Sequence, residues 1–338
     1  MANNEEKTIL SVKNLVVDYT SGKEIVQAVR DVSFDLYYGG SLGLVGETGA
    51  GKTTIARSIC RILPDPPAVV RGGEIMFEGQ DLLKLEENRM RALRGAKLSM
   101  IFQDPMTALN PIMRIGNQIA EGLRINKGMG KEEAGKQAKE VLEMVGIPAS
   151  RYREYPHQFS GGMKQRVVIA IALACSPDLM IADEPTTALD VTIQAQVLEL
   201  IKLLQKQKNM ALIMITHDFG IVAETCERLA VIYSGQIIEY GDTKQIFHEP
   251  RHPYTLGLFD AIPRVEETAE RLKPIKGHPT DPTHLPKGCS FAPRCPFVTA
   301  ACKAGAIPMF SDAEGHQCRC LRCADASRAD TGKGEIEP

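Results

Sequence analysis

The sequence predicts an α/β fold built on a mostly parallel sheet, and three observations carry the prediction. Short apolar runs alternate with helical patterns along the first 240 residues. Those runs are near-continuously apolar, as strands covered on both faces require. One of them ends directly in a glycine-rich loop that opens a helix. Composition agrees with a globular chain: 338 residues, 43% hydrophobic and 24% charged. The 40 Lys and Arg balance 42 Asp and Glu, so the net charge of -2 gives no support for a chain that coats nucleic acid. No apolar run nears the roughly 18 residues a membrane helix needs, and the N-terminus lacks a signal-peptide pattern, so a cytosolic chain is expected.

The elements follow in order. Residues 9–19 and 32–36 read as strands, and Ser41 to Val45 as a third that runs into Gly46, Gly49 and Gly51. A helix is expected from Thr53 to Ile62, stopped by Pro64, Pro66 and Pro67. Further strands are expected at Gly73 to Phe77 and Leu98 to Phe102. From about Pro105 to Ser160 the period turns helical, with Ala134, Ala138, Val141, Leu142 and Val145 on one face. Strands return at Leu179 to Ala182, Ala211 to Thr216, Leu229 to Tyr233 and Ile237 to Tyr240. After Gly241 the proline-rich sequence predicts a linker or loop-dominated appendage rather than more sheet. The residues beyond about Ala324 are polar and expected to fray.

Residues 46–53 spell G-x-x-x-x-G-K-T between a strand and a helix, where a phosphate cradle needs them. Gly46, Glu47, Thr48, Gly49, Ala50 and Gly51 would turn backbone N–H groups around phosphate oxygens, and the helix N-terminus adds its dipole. Lys52 would reach the β- and γ-phosphates, and Thr53, followed by Thr54, would ligate Mg²⁺. The strand Leu179 to Ala182 ends in Asp183 and Glu184. Asp183 is placed to orient Mg²⁺ and its waters, and Glu184 to act as general base on the attacking water. Taken alone, this acidic pair reads equally as a strand end facing solvent; beside the phosphate loop it reads as catalytic.

Phe159-Ser160-Gly161-Gly162-Met163-Lys164-Gln165-Arg166 resembles the signature motif of ABC-type ATPases. The same residues would also serve as a tight turn capping a helix. The resemblance implies an ABC-type P-loop ATPase fold: a RecA-like core, an antiparallel β subdomain and a helical subdomain at about 104–160, all within residues 1–250. It implies that Ser160, Gly161, Gly162 and Gln165 complete the nucleotide pocket of an opposing subunit. Gln103 resembles the Q-loop glutamine that contacts Mg²⁺, Ala188-Leu189-Asp190 the D-loop with Asp190 at the dimer interface, and His217 the switch histidine on the γ-phosphate. Tyr19 lies where the family keeps an aromatic to stack on adenine.

Residues 102–111 and 155–159 look like the peptide and nickel importers of that family, and residues 181–196 are similar to the D-type of their two ATPases. Arg251-His252-Pro253-Tyr254-Thr255 with Ala261-Ile262-Pro263 resembles their C-terminal extension, here residues 251–338. Gly39-Gly40, Thr48, Ala50 and Lys164 depart from the common residues without removing a catalytic group. The implied function is ATP hydrolysis that powers import of di- or oligopeptides. The implied partners are a second ATPase, two transmembrane permeases and an extracytoplasmic binding protein, with no nucleic acid, at the cytoplasmic face of the membrane. The alternatives are a nickel importer and a soluble ABC ATPase acting on nucleic acid or ribosomes.

Six of nine cysteines crowd the tail, and in a cytosolic chain that favours a metal over disulfides. Five residues separate Cys289 from Cys295, six separate Cys295 from Cys302, and seventeen separate Cys302 from Cys320, unlike paired zinc knuckles. The pattern resembles the four ligands of a [4Fe–4S] cluster in these importers, with His316 and Cys320 matching the family's ending. Cys318 and Cys323 are open alternatives for the fourth ligand, and zinc and free thiols are rivals to the cluster. Cys60, Cys175 and Cys226 read as small buried hydrophobes.

Overall fold

The computed structural model describes residues 7–22, 24–103, 108–186, 189–261 and 275–324. Asp104 to Thr107 of the Q-loop resemblance, Ala188 of the D-loop, Ile262-Pro263 and the tail expected to fray beyond Ala324 lie outside them.

A four-stranded antiparallel sheet comes first, in the order β2 (Glu24–Tyr37), β1 (Thr8–Ser21), β4 (Ala68–Phe77), β5 (Gln80–Asp81). The main sheet centres on β3 (Ser41–Val45), which pairs parallel with β8 (Ala211–Thr216) on one side and β9 (Arg228–Tyr233) on the other. β7 (Leu179–Asp183) and β6 (Leu98–Ile101) continue it in parallel beyond β8. β10 (Gln236–Asp242) turns back antiparallel to β9.

The continuously apolar strands work because each divides its side chains between two cores. In β8, Leu212 and Met214 join the core under the helices, whereas Ala211, Ile213 and Ile215 face the antiparallel sheet and helix Lys52–Ile59. β7 splits in the same way, with Met180 and Ala182 opposite Leu179 and Ile181. The helical part runs through helices Ile115–Lys127, Lys131–Met144 and Gly161–Leu173. Ala134, Ala138, Val141, Leu142 and Val145 are all buried there, as their spacing predicts.

Two expectations are corrected. Helix Lys52–Ile59 stops three residues before Ile62, where Arg61 takes a left-handed φ of 49°. The tail also returns to the sheet: β12 (Gln317–Cys318) pairs with β10, and β11 (Phe310–Ser311) with β12. Strands of two residues leave no periodicity in a sequence, so a loop-dominated reading was the natural outcome. What holds them is a buried polar knot. Glu239 of β10 is fully buried and accepts from the His316 ring at 2.8 Å and from the backbone N–H groups of Arg251 at 2.7 Å and His252 at 3.0 Å. Tyr254 and Phe291, from beyond residue 250, bury themselves in the same core as β7, β8 and β9.

His252 caps helix Pro253–Asp260 by accepting the Tyr254 N–H on Nδ1 at 3.0 Å, which requires the neutral ring. Burial pulls its pKa from 6.5 down to about 4, against the opposing pull of Glu239. The unfolded chain therefore takes up a proton that the folded chain refuses. Stability is full above about pH 6.5 and is lost as pH falls toward 4, by about 2 kcal/mol at pH 5. Thermal midpoints should fall over this window in the natural chain and fall less in His252→Asn, which keeps a cap without the titration; parallel curves would remove His252 as the cause.

Candidate functional site

The loop after β3 has the geometry of a phosphate cradle. Gly49 and Gly51 take φ of 81° and 104°, a region costly for residues with a Cβ. A Cβ at Gly46 would strike the Ile232 carbonyl, and one at Gly51 the Ala28 carbonyl. Lys52 is 6% exposed, and its ammonium donates to the carbonyls of Gly46 at 2.6 Å and Glu47 at 3.0 Å. Burial holds its pKa below the usual lysine value, with Glu184, Asp183 and Glu47 opposing the shift. The Tyr19 hydroxyl lies 3.4 Å from the hydroxyl of Thr54 in the first turn of helix Lys52–Ile59.

β7 delivers the carboxylates to the same place. Asp183 is buried, which raises its pKa, while a hydrogen bond from the Thr53 hydroxyl lowers it. Glu184 sits just past the strand at φ 46°, a strained turn held by its N–H donating to Ile215 at 2.9 Å. Gln103 donates to one of its carboxylate oxygens at 2.7 Å, and His217 Nδ1 donates to the other at 3.1 Å. Two residues, from the ends of the strands on either side of β7, thus converge on the Glu184 carboxylate.

The signature residues lie at the start of helix Gly161–Leu173. Ser160 caps it by accepting the Met163 N–H at 3.4 Å, and Ser160 and Gly161 are exposed. Gln165 is 1% exposed and donates to the Pro185 carbonyl, bracing the signature helix against the turn after Glu184 within its own chain. Asp190 caps helix Val191–Lys208 through the Ile193 N–H at 2.9 Å. Both side chains therefore have an internal role beside the interface role implied by resemblance.

A family profile described as ABC transporter matches residues 29–187, and one described as the C-terminal region of oligopeptide/dipeptide transporters matches residues 238–302. The dipeptide transport ATP-binding protein DppD of Bacillus subtilis is 51% identical, over 87% of this chain and 88% of its own length. The chain belongs to the ABC transporter ATP-binding family. The oligopeptide transport ATP-binding protein OppD of Escherichia coli is 45% identical over 90% of both chains. A solved ATP-binding cassette, dimeric and holding ADP and Pi, matches with a TM-score of 0.63 at 27% identity, over 69% of this chain and 98% of its own. The ABC cassette fold is thereby shown over 69% of the chain. Among the described residues, no helix is long and apolar enough to cross a membrane.

The loop also has neighbours from beyond residue 250, which nothing in the sequence signals. The Glu47 N–H donates to the Tyr254 hydroxyl at 2.9 Å, and Arg294 forks onto the Glu47 carboxylate at 2.8 and 3.0 Å. That fork holds the guanidinium pKa above its usual value. The residues involved are separated by 207 and 247 positions, too far for any local pattern.

Four of the six tail cysteines share a cavity, and one of the four, Cys320, also hydrogen-bonds Cys323. Cys289, Cys295, Cys302 and Cys320 line one cavity with Phe291, Phe297 and Ile307. Among the described residues, however, no three His, Cys, Asp or Glu side chains form a group that could hold a metal ion. Cys318 and Cys323 are buried with their sulfurs 2.8 Å apart. His316, matched by resemblance to the family's ending, faces Glu239 instead of that cavity. Cys60, Cys175 and Cys226 are buried, and desolvation pushes the Cys60 and Cys226 thiols up to about 12, as inert core residues should behave.

Proposed function

We propose that this ABC ATPase powers import of di- or oligopeptides as one of two ATPase subunits docked on a pair of membrane permeases. The observation that carries the catalytic half is Glu184, held between Gln103 and His217 beside the phosphate loop. Peptide cargo is supported by the similarity to DppD and OppD and by the C-terminal region that matches across residues 238–302.

MgATP is the substrate. The backbone of residues 46–51 wraps its phosphates, Lys52 turns from its own loop carbonyls to the β- and γ-oxygens, and Thr53 with Asp183 and Gln103 holds Mg²⁺. Tyr19 stacks on the base. Glu184 accepts a proton from the attacking water, and His217 hydrogen-bonds the γ-phosphate. Both Glu184 oxygens accept hydrogen bonds, from Gln103 and His217, and each keeps a lone pair for the attacking water once that water is in place. Closure onto a second ATPase brings its Ser160 and Gly161 counterparts over the γ-phosphate. Hydrolysis removes the bridging phosphate and reopens the pair. Residues 1–250 act as the nucleotide-binding unit, with the helical part at about 104–160 facing the permeases, and residues 251–338 form the extension. An extracytoplasmic binding protein delivers cargo through the permeases, and the ATPase works at the cytoplasmic face.

The test is uptake of labelled dipeptides, oligopeptides and nickel in cells lacking this chain. Loss of peptide uptake with nickel uptake intact is expected; the opposite pattern would assign the nickel role.

The shared apolar cavity of Cys289, Cys295, Cys302 and Cys320 fits a [4Fe–4S] cluster better than zinc. A cage of several atoms holds its four thiolates further apart than a single ion does. Such a cluster supplies metal–thiolate bonds that tie together a segment with little core of its own. Anaerobically purified chain should contain iron and sulfide in equal amounts and absorb in the visible. Zinc at about one per chain without sulfide would overturn the cluster assignment.

A further inference from the structure

We infer that Arg294 is a positioning residue for the phosphate loop: its guanidinium neutralises and anchors Glu47 so that the loop receives ATP preformed. The inference rests on the ATP-binding role proposed for residues 46–53. Glu47 is held at three points: its N–H by Tyr254, its carbonyl by Lys52 and its carboxylate by Arg294. When phosphates arrive, Lys52 leaves for them, and the two holds from the C-terminal extension remain beside the Ala50 N–H, which donates to the Glu47 carbonyl at 3.1 Å. The loop is open at its tip, where nothing lies within 4 Å of a Cβ built at Gly49, and is tied at Ala50, whose carbonyl accepts the Gly235 N–H at 2.9 Å.

Arg294 is itself rigidly placed. Its side chain is 4% exposed, its backbone N–H donates to Phe291 at 3.0 Å, and its Nε donates to the Lys276 carbonyl at 3.2 Å. The guanidinium lies 5.9 Å from the ring centres of both Tyr233 and Phe291, and Tyr233 in turn pairs with Thr280 at 3.2 Å. The Pro282 carbonyl accepts the Gln27 N–H at 3.2 Å, fixing the extension beside the loop. The charge argument points the same way. An anion-binding loop that carries its own carboxylate repels phosphate unless a cation pairs with that carboxylate, and a bidentate Arg pairs with it in fixed geometry. Preforming the loop lowers the ordering cost of binding.

The test uses the full chain with MgATP, by calorimetric titration and by ATPase kinetics. Arg294→Gln leaves Glu47 unpaired and is expected to weaken MgATP binding about tenfold, raising KM with little change in kcat. Adding Glu47→Gln to Arg294→Gln is expected to recover most of that loss, because the unpaired charge is gone. Arg294→Lys keeps the charge without the fork and should lose about threefold; it carries the test if the Gln variant does not fold. Arg294→Gln binding MgATP as the natural chain does, or a double variant no better than the single, would overturn the inference. A natural chain that fails to bind MgATP would overturn the ATP reading itself, a separate and visible failure.

Discussion

Glu184→Gln is expected to abolish turnover while leaving ATP binding intact. A positioned general base contributes about 10²–10⁴-fold to rate, so hydrolysis should fall by at least about a hundredfold. The glutamine occupies the same space and can still hydrogen-bond with Gln103 and His217, which now lie at 2.7 and 3.1 Å from the carboxylate. Fold and pocket are therefore preserved. What disappears is a proton acceptor and a negative charge beside the γ-phosphate. Glu184 also raises the pKa of buried Asp183, so its neutralisation makes Asp183 a better Mg²⁺ partner. Binding of MgATP should be unchanged or tighter, and the closed pair of ATPases should persist. Single-turnover hydrolysis with radiolabelled ATP, set against equilibrium binding, separates the two effects. Turnover within threefold of the natural chain would take the base role away from Glu184.

How much of this site could be read beforehand depends on the distance over which each feature is encoded. The phosphate loop is encoded within eight residues, and Ser41–Val45 and Ala211–Thr216 match their expected bounds because strands buried on both faces read as near-continuous apolar runs. Glu184, Gln103 and His217 were legible as strand-end residues, and the parallel order of β6, β7, β8 and β3 is what brings them to one edge. Gln165 and Asp190 carry a second, internal role that motif resemblance hides. The Glu239–His316 knot and the Arg294–Glu47 fork were not legible. Each joins residues more than seventy positions apart, and neither a buried carboxylate nor a clasped one leaves a periodic trace. The crowded cysteines were visible as a group, but only the folded chain separates the four that share a cavity from Cys318 and Cys323.

Lys52→Ala should produce the complementary defect, loss of ATP binding itself. Among the described residues, the buried ammonium donates to two carbonyls of its own loop, those of Gly46 and Glu47. Its depressed pKa is caused by desolvation, so the fold carries a cost for keeping this charge where phosphates will arrive. Removing it should cost little stability, since alanine suits the first turn of helix Lys52–Ile59 and the desolvation cost disappears with the charge. The ligand loses far more. Each charge-assisted hydrogen bond to phosphate contributes about 1.5–3 kcal/mol, and losing two weakens MgATP by at least about a hundredfold. A thermal midpoint within a few degrees of the natural chain, together with that loss of affinity, would identify Lys52 as a residue held for the ligand rather than for the fold. Affinity within threefold of the natural chain would mean that the backbone cradle and helix dipole alone bind the phosphates. Comparison with Glu184→Gln then separates binding from chemistry: one variant closes on ATP and cannot cleave it, and the other folds but has nothing to close on.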